Sequence, residues 1–147
     1  MKNTKLTVAT KESQGIKDVK ELYKNELCID LVKECLTSQD SQDGEIRDAK
    51  LKKFEIIVTT SEYLRKGDDM YDLFKQTLSE KNESIDKHSY SKLVYDIEKS
   101  QFNNYVNLAK LDIRVLNAYR EELRKGNVNL GLKPCLGFAK KLGSKVP

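Results

Sequence analysis

The chain has 147 residues, of which 38% are hydrophobic and 34% charged, with no Trp and only two Pro. That length suits one domain with a core of its own, and apolar residues threaded among charges at helical spacing exclude a disordered chain. No run of about 20 apolar residues is present to span a membrane.

The net charge of +4 is unevenly placed. Residues 126–147 hold Lys133, Lys140, Lys141 and Lys145 and no acid, so the excess positive charge lies entirely in that stretch while residues 1–125 balance. The opening MKNTKLTVATKESQG lacks the apolar core of a secretory signal. A cytoplasmic protein is expected, with an exported mature form left open. Cys28, Cys35 and Cys135 are an odd set without a CxxC pair, which speaks against a disulfide scaffold and a zinc site. Cys28 and Cys35 stand two helical turns apart and read as small core residues. The alternative is a bond from one of them to Cys135, which requires an oxidising compartment.

In chain order, residues 1–16 read as a flexible arm, although Lys5 to Thr10 (KLTVAT) has the alternation of a short strand. From Lys17 to Leu36, Val19, Leu22, Tyr23, Leu27, Leu31, Val32 and Cys35 recur at helical spacing and predict a first helix. Thr37 to Gly44 (TSQDSQDG) is dense in turn-forming residues and reads as a loop. A second helix is predicted from Glu45 to Lys66, with Gly67 as its left-handed stop. Within it, Phe54 to Thr60 (FEIIVTT) is β-branched; pairing it with KLTVAT would make an α+β protein, but the flanking charges continue the helical period. Asp68 or Asp69 can cap a third helix whose apolar residues are Met70, Leu73, Phe74 and Leu78, and which ends near Asn82.

A long fourth helix is expected from Asp86 or Ser89 to Lys125, weakest at Glu98 to Gln101 and stopped by Gly126. Its stretch from Gln101 to Arg124 places Asn103, Asn107, Lys110, Arg114, Asn117 and Glu121 on one stripe, with apolar residues nearly everywhere else. A helix so apolar needs neighbours on several sides, which makes this stretch the expected central helix. The remainder, residues 126–147, has too many Gly and Pro interruptions for a long helix and reads as a basic, partly irregular tail.

No chemical constellation emerges. The single histidine, His88, falls in a polar loop. The Glu-x-x-His pattern of metal-binding bundles is absent, as are GxxxxGK[ST], GxGxxG and GxSxG. The acidic pairs Asp68-Asp69 and Glu121-Glu122 suit caps or solvated faces. Asn82-Glu83-Ser84 matches a glycosylation acceptor, a short pattern that arises by chance.

The expectation is an all-α protein: an antiparallel four- to five-helix bundle spanning 17–125, with the basic tail behind it. No enzyme activity, catalytic residue, metal or cofactor is expected. The expected role is a non-catalytic protein-interaction module of adaptor, inhibitor, immunity or secretion-associated type. Its candidate partner-binding residues are Asn107, Lys110, Arg114 and Asn117 on the polar stripe and Lys133, Lys140, Lys141 and Lys145 on the tail, since Asn and Arg form specific hydrogen bonds at little net charge. The alternative is a nucleic-acid-associated protein whose tail lysines contact phosphates. Self-association is a third option.

Overall fold

The computed structural model describes residues 6–41 and 47–145. The chain is mostly helical. It runs β1 (Thr7–Val8), α1 (Gln14–Leu22), α2 (Lys24–Leu27), α3 (Ile29–Ser41), α4 (Arg47–Asp69), α5 (Tyr71–Ser79), β2 (Glu83–Ser84), α6 (Lys87–Tyr95), α7 (Lys99–Ala109), α8 (Ile113–Lys125) and α9 (Leu132–Lys145). Among the described residues, no helix is long and apolar enough to cross a membrane.

The arm and the first helix both differ from expectation. Ala9 and Ile16 are buried in the core, and Thr7–Val8 pairs in parallel with Glu83–Ser84 rather than with FEIIVTT. Ser13 caps α1 by accepting from the Ile16 amide at 3.1 Å while its hydroxyl donates to Glu83 at 2.7 Å. The region from Lys17 to Leu36 is not one helix, because Cys28 adopts a left-handed backbone (φ 56°) that separates α2 from α3. The Leu27 carbonyl released at that break accepts from the Tyr95 hydroxyl at 2.8 Å. Cys28 therefore shares no continuous helix with Cys35; it is buried, and Cys35 is half-buried. All three thiols are free.

Part of the predicted loop, Thr37 to Ser41, is the last turn of α3; residues 42–44 of that loop, and the predicted helix start at Glu45, lie outside the described residues. Tertiary contact overrides the weak helical preference there. The Gln39 amide donates to Thr60 at 3.0 Å and its carbonyl accepts from the Tyr105 hydroxyl at 3.2 Å, tying α3 to α4 and α7.

Helix α4, rather than the stretch from Gln101 to Arg124, is the centre of the fold. It packs most extensively on α7, then on α3 and α8, and also meets α2 and α5. FEIIVTT lies within α4, and its hydroxyls and that of the next residue need no ladder: Thr59, Thr60 and Ser61 donate to the carbonyls of Glu55, Ile56 and Ile57 at 2.9, 2.7 and 2.8 Å. Bonds of this kind allow Thr60 and Ser61 to be fully buried, at the cost of slight helix bending. Gly67 is not a helix stop. It lies inside α4, where its bare Cα admits the Tyr95 ring. Nor does Asp68 or Asp69 cap α5, which follows directly from α4 through Met70 with no side-chain cap. Asp68 instead pairs with Lys87.

Beyond β2, Asp86 caps α6 by accepting from the Ser89 amide at 2.8 Å. The expected long fourth helix is broken twice. Asp96 takes a left-handed conformation (φ 57°) that ends α6, close to the anticipated weak point. The second break, at Lys110 to Asp112, falls inside the stretch expected to be continuous, and Asp112 caps α8 by accepting from the Arg114 amide at 2.8 Å. Gly126 closes α8 in the left-handed region (φ 80°) as expected. Among the described residues, the tail is irregular only over 126–131; the expectation of too many interruptions for a long helix fails beyond them, where α9 spans Leu132–Lys145. Pro134 sits in its first turn, where an amide would have no helical partner. Cys135 is fully buried beneath it, and Phe138 packs on Tyr119 with ring centroids 5.6 Å apart.

Candidate interaction surface

The stripe residues lie around the corner between α7 and α8. Asn107 and Lys110 end α7, and Arg114 and Asn117 begin α8; all four are exposed. The break at Lys110 to Asp112 folds the stripe around this corner, so it is no single helix face. Asp112 binds Arg114 doubly, accepting from Nε at 3.1 Å and from Nη2 at 3.0 Å. That contact, with the Arg114 amide, holds the Asp112 carboxyl down to about 2. The Arg114 charge is thus largely matched within the corner. Asn117 accepts from Arg120 at 2.9 Å, and Arg120 forks onto Glu55 of α4 with both contacts at 2.8 Å.

Ile113, between Asp112 and Arg114, is 60% exposed. The sequence placed it among the core residues because its neighbours at helical spacing are apolar. The signal for the opposite placement was Asp112: a capping aspartate puts the next residue in the first helical turn, at the tip of the corner. An exposed apolar side chain with Arg114 beside it and Asn117 one helical turn on has the make-up of a small interface centre with a polar rim.

The α9 lysines form a second group. Lys133, Lys140 and Lys141 are exposed, and Lys145 lies outside the residues whose side chains are described. Lys133 borders a depression with Glu98, Ser100 and Gln101 at the start of α7, the end remote from Lys110. Lys141 borders another with Gly126 and Asn127 at the end of α8, remote from Arg114. The structure brings α9 against both α7 and α8 without merging its lysines and the corner into one patch.

Little else offers chemistry. His88 stands exposed in the first turn of α6 rather than in a loop. Among the described residues, no cluster of His, Cys, Asp or Glu is placed to hold a metal ion, and no buried side-chain N or O atom lacks a hydrogen-bond partner. Lys87 reaches the Tyr71 ring at 4.6 Å and pairs with Asp68, and Lys75 approaches the same ring at 5.9 Å. Around it Tyr90 meets Tyr71, Phe74, Tyr95 and Phe102 at centroid distances of 5.0 to 6.1 Å. The Tyr90 hydroxyl donates to the Gly67 carbonyl, and burial raises its pKa far above the ordinary value. A phenol so placed is a packing element with a satisfied hydroxyl.

Comparison with family models, with curated proteins and with solved structures finds no match to this chain. Its function is therefore argued from the surface just described.

Proposed function

We propose that this protein is a non-catalytic interaction module, of adaptor, inhibitor, immunity or secretion-associated type, that engages a protein partner through the α7–α8 corner and the basic helix α9. Its scaffold is read as an antiparallel four- to five-helix bundle, for which α3, α4, α7, α8 and α9 supply the principal packing. The observation that carries the reading is Ile113, 60% exposed beside Arg114 and one helical turn from Asn117 on α8. Apolar side chains surrounded by hydrogen-bonding groups are where binding energy concentrates.

The test compares the wild-type protein with Ile113→Asp, each used to retain a partner from extract of the native source. One protein retained in near-equal amount by the wild type, and lost from a variant of unchanged melting temperature, supports the reading. Retention of no protein, or equal retention by both, removes it.

A second reading, a nucleic-acid-associated protein, is favoured by one observation: no acid follows Glu122, while Arg124, Lys125 and four further lysines do. Fluorescence anisotropy with duplex DNA and single-stranded RNA at low and high salt decides it, because phosphate contacts weaken steeply as salt rises. Undetectable or salt-independent binding disposes of it. Self-association through a helix face is checked by sedimentation of the same samples.

A further inference from the structure

Leu22 and Leu73 are 64% and 42% exposed, and both lie along the seam between α1 and α5. Asp18 of α1 pairs at 3.7 Å with Lys81, just past the end of α5. Further along α1, the Tyr23 hydroxyl shares a hydrogen bond of 2.7 Å with that of Thr77, so the two helices run antiparallel. Leu22 stands one helical turn beyond Asp18. Leu73 stands one turn before Thr77, whose hydroxyl meets the Leu73 carbonyl at 2.9 Å. Residues four apart share a helix face, so both leucines flank the Tyr23–Thr77 contact, and half-buried Met70 adds apolar surface one turn from Leu73.

The charges beside Leu73 are of one sign. Asp69 precedes it by a turn, Asp72 adjoins it and Glu80 follows by two turns, all three exposed. None of the ion pairs among the described residues involves them. The neighbouring cations are engaged elsewhere: Lys81 on Asp18, Lys75 over the Tyr71 ring and Lys66 over the Tyr63 ring, each at 5.9 Å, and Arg65 on the Ala109 carbonyl at 3.5 Å. Lys17 and Lys24 of α1 and α2 border a separate depression that has its own acids, Glu12, Glu21 and Asp30.

We propose that the α1–α5 seam docks a basic amphipathic helix of a partner protein. Its apolar residues seat on Leu22 and Leu73, and its Lys or Arg side chains face Asp69, Asp72 and Glu80. An amphipathic helix laid on an apolar seam is a recurrent mode of recognition. The same carboxylates repel a nucleic acid and an anionic membrane surface. A second copy of this chain fits less well. Its basic helix, α9, has its apolar side turned into its own core, where Cys135 is fully buried and Phe138 packs on Tyr119. The seam belongs to α1 and α5, so the proposal does not rest on the α7–α8 corner or on α9.

The experiment uses the full chain and a fluorescein-labelled peptide of Lys and Leu arranged to be amphipathic as a helix, with a scrambled peptide of the same composition as control. Anisotropy shows binding of the amphipathic peptide that weakens as salt rises and exceeds that of the scrambled one. Leu22→Asn and Leu73→Asn each weaken it about tenfold, the size expected for losing an apolar anchor, and Asp72→Lys weakens it severalfold. All three positions are exposed, so the melting temperature stays where it was. Glu34→Lys, an exposed acid on α3, leaves binding unchanged. Absence of binding, equal binding of the scrambled peptide, or affinity indifferent to both leucine variants overturns the seam. Sedimentation of the free chain supplies the last arm: a dimer that disappears in Leu22→Asn makes a second copy the occupant and overturns the partner helix. Ile113→Asp retains peptide binding, so a failure of the seam and a failure of the corner are read separately.

Discussion

A Cβ at Gly67 would lie 2.0 Å from the hydroxyl oxygen of Tyr95 and 2.7 Å from the ring carbon bearing it. The tyrosine rests on bare α4 backbone in order to reach the Leu27 carbonyl, 2.8 Å away, at the break between α2 and α3. Gly67→Ala therefore pushes the ring off α4 and breaks that hydrogen bond. Overpacking of this kind costs about 1–3 kcal/mol. Tyr95→Phe keeps the ring and loses the bond, for about 1 kcal/mol. Because the removed hydroxyl is the atom that collides first, the double variant should be less destabilised than the sum of the two. Urea unfolding of the four proteins in the cycle measures this coupling, and strict additivity would show that the two residues do not share the space.

The break after α6 makes a separate prediction. Asp96 holds a left-handed backbone at an exposed position, with its amide bonded to the Lys92 carbonyl at 3.0 Å. Glycine adopts that conformation freely, whereas a β-branched residue does so at a cost of about 1–2 kcal/mol. Asp96→Gly should be neutral or stabilising by a few tenths of a kcal/mol, and Asp96→Val destabilising by at least 1 kcal/mol or so. If both melt like the wild type, the turn does not have this geometry in solution.

What the sequence revealed and what it hid follow a single division. Periodicity located nearly all the apolar residues that pack, and the glycine at position 126 marked the end of α8. It came close to the break at Asp96, near the weak point at Glu98 to Gln101, but did not reveal those at Cys28, which has no turn signature, and at Lys110 to Asp112, where continuous apolar spacing masked the capping aspartate. The break at Cys28 is held by a contact remote in sequence, the Tyr95 hydroxyl on Leu27, and the corner by the short side-chain cap of Asp112. Gly67 was misread for the same reason. A glycine that stops a helix and one that admits a distant aromatic ring look alike until the ring is placed. The candidate residues on α7, α8 and α9 whose side chains are described are exposed, but their division into two groups depends on where α9 docks, and no local pattern encodes that. Ile113 was hidden by its company: apolar residues on either side of a break still show helical spacing.

At the corner, the Arg114 hydrogen bonds lower the Asp112 carboxyl from the ordinary 3.8 to about 2. The folded state binds that proton less readily than the unfolded state does. Its contribution to stability is present above the ordinary carboxylate value and is lost as pH falls from there through about 2. Carboxyl titration by NMR should place Asp112 near the lower value in the wild type and move it upward in Arg114→Gln, since the side-chain contact is the largest cause. A midpoint unmoved by that substitution would mean the amide cap alone sets it.

The docking of α9 is predicted to fail at high pH, and the thiols report on it. Tyr119 and Cys135 face one another's helices in the core. Burial pushes the phenol from 10.0 to about 12 and the thiol from 9.0 to about 12. For a group whose proton is held more tightly when folded, the stabilisation is full below the unfolded value and disappears as pH rises through the folded one. The contact between α8 and α9 should therefore loosen as pH rises from about 9–10 to about 12, seen as Tyr119 phenolate absorbance appearing together with loss of helical signal. At neutral pH an aromatic disulfide reagent should modify Cys35 first, because it alone is only half-buried. Cys135, fully buried, should react only as fast as α9 opens. Truncating Phe138 to Ala removes its contact with Tyr119 and leaves a cavity, costing about 3 kcal/mol if the site cannot collapse, and should accelerate Cys135 selectively. Equal acceleration of Cys28, which lies at the α2–α3 break, would mean that the whole chain opens as one unit and that α9 has no separate equilibrium.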